Sequence, residues 1–188
     1  MKRLSLLALL AATSLGLSSP VLAQEAKQTI AVVNIQQVMR DSTAAKSVRE
    51  QLESKQKAFQ ADITKKEETL QKEDQELAKQ QSVLSKEAFA EKAKSFRAKA
   101  TEVQKEVQAK KALLDSAFEH ALNDIQKAVN EIISALAKEK GFVLAVPTSQ
   151  VLYADDKLDV SKDVLERLNK KLPKLDVKFE AVAPAKAK

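Results

Sequence analysis

The chain has 188 residues, with 32 Lys and Arg against 26 Asp and Glu for a net charge of +6, and it holds two Gly, four Pro, one His and no Cys or Trp. These counts exclude a P-loop and a dinucleotide-binding fingerprint, which need several glycines at fixed spacing, and they exclude thiol nucleophiles, disulfides, Cys-ligated zinc, H-E-x-x-H and three-His metal sites. Carboxylate-only metal binding, Ser/Lys chemistry or no catalysis remain, and the expectation is a non-enzyme that needs no cofactor.

Residues 1–23 read as a secretory leader. Lys2 and Arg3 supply the charged start, Leu4 to Leu17 the apolar stretch, and Val21-Leu22-Ala23 a small-residue cleavage site. The apolar stretch is shorter than the roughly 20 residues of a membrane-spanning helix. Cleavage after Ala23 and export are expected, to a compartment where ATP is not.

Thr29 to Asn34 is a short β-branched run that suits a buried strand. Ile35 to Arg40 starts a helix, and Asp41-Ser42-Thr43 offers acceptors for the next helix N-terminus. Between Ile35 and Lys140 lie 106 residues without Gly or Pro, the strongest local breakers of structure. Ala, Glu, Lys, Gln, Leu and Arg dominate from Ala44 on, and all are strong helix formers. Leu52 and Phe59, then Ile63, Leu70, Leu77 and Leu84, recur at steps of seven, while the companion heptad positions carry Lys66, Glu73 and Gln80. One apolar position per heptad is a thin seam for a coiled coil.

A reversal is expected at 84–86, with Ser85 as cap, Glu87 in the first turn and Leu84 with Phe89 as a hydrophobic staple. The returning helix carries Phe89, Phe96 and Val103 at heptad steps. From Val107 to Leu136 its apolar residues thicken to a core-facing pattern. Residues 44–140 therefore form a long hairpin arm, polar outside and buried at its root. Gly141 ends it after Lys138 and Lys140.

Phe142 to Val146 reads as a second strand, Val151 to Tyr153 as a third, and Lys162 to Lys171 as a short helix capped by Ser161 and stopped by Pro173. Leu175 to Phe179 alternates like an edge strand, and residues 181–188 read as a disordered tail. The fold class is α+β, mostly α: residues 24–43 and 141–180 form a small β-rich body, with the hairpin projecting from it. A body of roughly 60 residues with open strand edges is marginal alone. Sharing strands between copies removes both problems, so a homo-oligomer is expected.

The segments I-A-V-V-N-I-Q-Q-V, L-S-K-E-A-F at the bend, G-F-V-L-A-V, Tyr153 and L-D-V-S-K-D-V-L-E-R-L-N together resemble the Skp/OmpH family of periplasmic chaperones over the whole exported chain. The resemblance implies a homotrimer in which strands of three subunits form a barrel and three hairpins enclose a cavity for unfolded outer-membrane proteins, held without nucleotide. It implies that Ile30, Val32, Phe142, Leu144, Val146, Val151 and Tyr153 belong to the trimer-forming strands, and Leu165 and Leu168 to the small helix beside them. A lipopolysaccharide contact is suggested for the family, at positions that cannot be matched in these arms. Pro173 to Lys188 extends beyond the family pattern.

Once Lys2 and Arg3 leave with the leader, 30 basic residues face 26 acidic ones, and the surplus lies around the bend: Lys79, Lys86, Lys92, Lys94, Arg97 and Lys99 against Glu87 and Glu91. These cations are candidates to steer an acidic client or an anionic membrane surface, against the plainer reading of a solvated helix face. Phe89 and Phe96 are candidate client contacts or seam residues. His120 has no catalytic partners near it in sequence, and Asp155-Asp156 reads as a turn. A nucleic-acid binder fits the basic pI, but the leader, the small surplus and the few aromatic residues argue against it. A structural coiled-coil spacer fits the arms and leaves the β body without a reason.

Overall fold

The computed structural model describes residues 29–180; the expected leader and the expected tail after Glu180 lie outside them. Strand β1 (Thr29–Val33) leads into helix α1 (Ile35–Asp41), and the two arms are α2 (Thr43–Gln80) and α3 (Lys86–Lys140). Strand β2 (Phe142–Pro147) and helix α4 (Ser161–Lys171) follow, separated by two single 3-10 turns at Thr148–Gln150 and Asp156–Leu158.

Polar side chains start the first three helices. Asn34 caps α1, its Oδ1 accepting from the Gln37 N–H at 2.9 Å. Ser42 has extended backbone (φ −63°, ψ 146°), which breaks the helical run, and its buried hydroxyl accepts from the Ala45 N–H at 3.2 Å to start α2. Ser85 does the same for α3 through the Ala88 N–H at 3.2 Å, as the sequence predicts. Gly141 takes φ 74° and ends α3.

Helix α2 has 38 residues and α3 has 55, about 57 and 82 Å of helix at 1.5 Å per residue. Their return brings β2 beside β1 in parallel, Ile30 against Leu144 and Val32 against Val146. A parallel pair needs a crossover connection, and here the entire hairpin is that crossover. On the far side of β1 the Val32 carbonyl accepts from the Val160 N–H at 3.0 Å, so this edge is partly closed.

The core sits where β1, α1, α4 and the roots of both arms meet. Val33, Val38, Val48, Ile125, Val129, Leu136, Val164 and Leu168 are wholly buried there. The Asn169 Oδ1 accepts from the Thr43 N–H at 2.9 Å and ties α4 to the start of α2. Beyond Ile63 on α2, and before Ala117 on α3, neither arm has a buried residue.

Three expectations are corrected. Val151 to Tyr153 is not a strand: the Val151 N–H closes the preceding 3-10 turn onto the Thr148 carbonyl at 3.2 Å, and no strand lies beside it to complete a ladder. Leu175 to Phe179 is not a strand either, although its burial alternates, because it lies on α2 instead of a sheet edge. The sheet of the described chain thus has two strands. Ser161 does not cap α4 but stands inside it, its Oγ accepting from the Asn34 N–H at 2.7 Å; the Ser161 N–H is met by Asp159 Oδ1 at 2.7 Å.

Candidate functional site

The outer arms have no buried core beyond Ile63 and before Ala117, and polar contacts set how they face each other. Four of these cross between α2 and α3: Gln80 Oε1 to Lys92 Nζ at 2.6 Å, Glu73 to Lys99 at 2.7 Å, and the pairs Lys66 with Glu106 and Asp62 with Lys110. Each pair is equidistant along the chain from Lys86, so one register runs down the hairpin. Lys66, Glu73 and Gln80 are the polar companion positions of the heptads. The gap in the apolar seam is therefore a second, polar seam.

Asp62, Lys66, Glu106 and Lys110 also bond within each arm, Lys110 Nζ to Glu106 Oε1 at 2.9 Å and Lys66 Nζ to Asp62 Oδ2 at 3.4 Å, making a closed four-charge cluster. The hydrogen bond from Lys110 holds the Asp62 carboxyl below its usual range, and those from Lys66 and then Lys110 do the same for Glu106. The matching bonds raise Lys66, chiefly through Glu106, and Lys110, chiefly through Asp62. Lys110 also lies over the Phe59 ring, 5.2 Å from its centroid.

On either side of this cluster the arms part into open grooves. One of about 480 Å³ lies toward the root between Leu52, Phe59 and Ile63 on α2 and Val107, Leu114 and Phe118 on α3. Another of about 380 Å³ lies toward the bend between Leu77 and Phe96, with Lys72, Glu73, Lys92 and Lys99 at its rim. Phe96 thus lines a groove, while Phe89 is half-buried nearer the bend.

The six cations around the bend divide into two sets. Lys92 and Lys99 brace the arms as above, and Lys79 pairs with Glu76 on its own helix at 2.9 Å. Lys86, Lys94 and Arg97 are exposed and have no ion pair among the described residues. Sequence reasoning missed the division because it depends on the register of the hairpin. The heptad spacing of Lys66, Glu73 and Gln80, mirrored by Lys92, Lys99 and Glu106, carried the signal.

The predicted association residues also divide. Val32, Phe142 and Leu168 are buried in the chain's own core, and Val146, Val151 and Leu165 are half-buried. Ile30, Leu144 and Tyr153 are exposed, as are Val143 and Leu152 of the same expected strand segments. His120 is exposed, and Asp155 caps a 3-10 turn through the Lys157 N–H at 2.9 Å. No cluster of metal-ligating side chains occurs among the described residues.

A two-stranded parallel sheet whose crossover is a long helical hairpin defines the class, and the sequence places the chain in it: residues 29–168 match the profile of the outer membrane protein (OmpH-like) family, to which this chain belongs. The structure resembles the crystal structure of a protein from Caulobacter crescentus CB15 described as an outer membrane chaperone (OmpH-like), with a TM-score of 0.76 and 18% identity, covering 81% of this chain and 90% of that one. No curated protein matches the sequence significantly.

Proposed function

We propose that this chain is an ATP-independent holdase of the periplasm, exported and cleaved after Ala23, that keeps unfolded outer-membrane proteins soluble between the arms of a homotrimer. The observation that carries the reading is the contrast along the arms: a dense core at the root, and no buried residue between Ile63 and Ala117. Burial stabilises by about 25 cal/mol per Å² of apolar surface, so the outer arms have little to resist splaying around clients of different size. Membership of an OmpH-like chaperone family supports the role. The exposed Ile30, Val143, Leu144, Leu152 and Tyr153, together with the free edge of β2, support association through the body.

Lys86, Lys94 and Arg97 steer clients or an anionic membrane surface, lipopolysaccharide included, to the open end. Phe89 and Phe96 touch the client where the arms part, and neither nucleic acid nor a cofactor has a part.

The test is an outer-membrane β-barrel protein diluted from urea, with light scattering and native mass read together. Suppressed aggregation at about one trimer per client is expected, and a Lys86→Gln, Lys94→Gln, Arg97→Gln variant should capture more slowly with a flatter salt dependence. No protection would sink the holdase reading in favour of a spacer, and a native mass of one or two chains would sink the trimer.

A further inference from the structure

The chain continues past the family match, which ends at residue 168. After α4 it crosses the arm root with Leu175, Val177 and Phe179 half-buried and Asp176 and Lys178 exposed. That is the two-residue period of an extended chain, yet the neighbour is a helix. Gln51 of α2 replaces a strand: its Nε2 donates to the Leu175 carbonyl at 2.8 Å and its Oε1 accepts from the Val177 N–H at 3.0 Å. Those are the two groups that one residue of a neighbouring parallel strand would engage.

The site is preorganised. Gln51 Nε2 is also held by the Ser47 carbonyl at 3.1 Å and the Ser47 hydroxyl at 3.0 Å. One turn on, the Lys55 ammonium lies between two rings, 5.0 Å from the centroid of Phe59 and 5.4 Å from that of Phe179. Gln51, Lys55 and Phe59 follow at steps of four and form one stripe on α2. An amide that reads backbone, followed by a cation and a ring, selects an extended chain with apolar side chains at alternate positions and no particular sequence. The occupying segment is lightly held, because none of residues 172–180 is fully buried.

We infer that the Gln51–Lys55–Phe59 stripe is a binding site for extended polypeptide with alternating apolar residues, and that Leu175 to Phe179 is its tethered occupant, displaced by client strands. Transmembrane β-strands alternate in this way, and the client half of the inference rests on the holdase reading. The segment is thus a built-in competitor that keeps the stripe covered until a better strand arrives.

The test compares the full chain with one ending at Leu172, which keeps the last residue bonded to α4. The probe is a labelled peptide of residues 173–188, with a scrambled peptide of the same composition as its control. A tether presents its segment at millimolar effective concentration, so the shortened chain should bind the probe on the order of tenfold more tightly than the full chain. Gln51→Leu in the shortened chain should erase that gain, and the scrambled peptide should not show it. Equal affinities in the two chains, or a gain that survives Gln51→Leu, would overturn the inference. In the unaltered full chain, hydrogen exchange at the Val177 amide should speed up when unfolded client is added; unchanged exchange under saturating client would overturn displacement. If no client binds at all, the holdase reading fails, while the peptide comparison still decides the site.

Discussion

At Gly141 the backbone takes φ 74°, ψ 19°, a left-handed conformation in which its N–H still reaches the Ala137 carbonyl at 2.9 Å. A Cβ built there meets nothing within 4 Å, so a substitution would introduce no clash. The cost of Gly141→Ala is then purely conformational: about 1–2 kcal/mol for the left-handed geometry, offset by up to about 1 kcal/mol from a stiffer unfolded chain. Urea unfolding should show a loss of about 1 kcal/mol. Gly141→Asn, whose side chain tolerates this region, should recover most of it. An alanine variant as stable as the parent would mean that the turn into β2 is not under this constraint. The glycine was legible because it follows a breaker-free run and two lysines that suit a helix C-terminus. The two sets of basic residues near the bend were not, since Lys92 and Lys94 look alike until the opposite arm is in place.

Ser42 and Ser85 perform the same local act on helices of the same kind, but they stand at opposite ends of an arm. The Ser42 hydroxyl is fully buried beside the root core, whereas Ser85 is exposed at the bend, where no neighbour is buried. Losing a serine cap costs about 0.5–2 kcal/mol, and where the cost is felt depends on what unfolds with that turn. Ser42→Ala should lower global stability by about 1.5 kcal/mol. Ser85→Ala should change it by less than about 0.5 kcal/mol while speeding hydrogen exchange in the first turn of α3. Equal global losses would mean that the arm unfolds with the root as one unit.

The helical elements were readable for the same reason that they are stable: capping residues, helix formers and heptad spacing are local in sequence. The strands were readable only where a partner exists. Val151 to Tyr153 and Leu175 to Phe179 have strand-like composition or alternation, but a strand is completed by its neighbour, and alternation is equally satisfied by a helix face carrying Gln51. The polar positions at Lys66, Glu73 and Gln80 were visible as gaps in a seam, and became contacts once Ser85 fixed the register.

In the whole molecule the Asp62, Lys66, Glu106 and Lys110 cluster stands between a root that is packed and outer arms that are not, with only Glu73–Lys99 and Gln80–Lys92 as polar ties between the arms beyond it among the described residues. Its side chains run from 16% exposed at Lys110 and 28% at Glu106 to 38% at Lys66 and 47% at Asp62, so solvent screens the Lys110–Glu106 pair less than the other two charges. Both carboxyls titrate below their usual 3.8 and 4.5 because of the lysine bonds, so their contribution is complete above about pH 5 and fades as pH falls through those values and below. Lys66 and Lys110 titrate above their usual 10.5, so their share is complete below that value and is lost as pH rises beyond it. The arms should therefore hold their register across neutral pH and loosen in acid. Hydrogen exchange, corrected for intrinsic rates, should rise in Thr64 to Val103 as pH falls below the usual carboxylate range, well before it rises at Ile125 to Leu136. Two of the carboxylates tying α4 to α3, Glu131 with Lys171 and Glu139 with Arg167, weaken in the same range, but their side chains are 64% and 53% exposed, a third pair joins Asp163 to Lys140, and apolar packing holds that junction. An Asp62→Asn, Glu106→Gln chain should show the loosened arms already at pH 7 and little further change in acid. If that variant kept both the closed arms at pH 7 and the acid response of the parent, the cluster would not be what holds the hairpin together, and the remaining cross-arm carboxylate, Glu73 with Lys99, would have to do so.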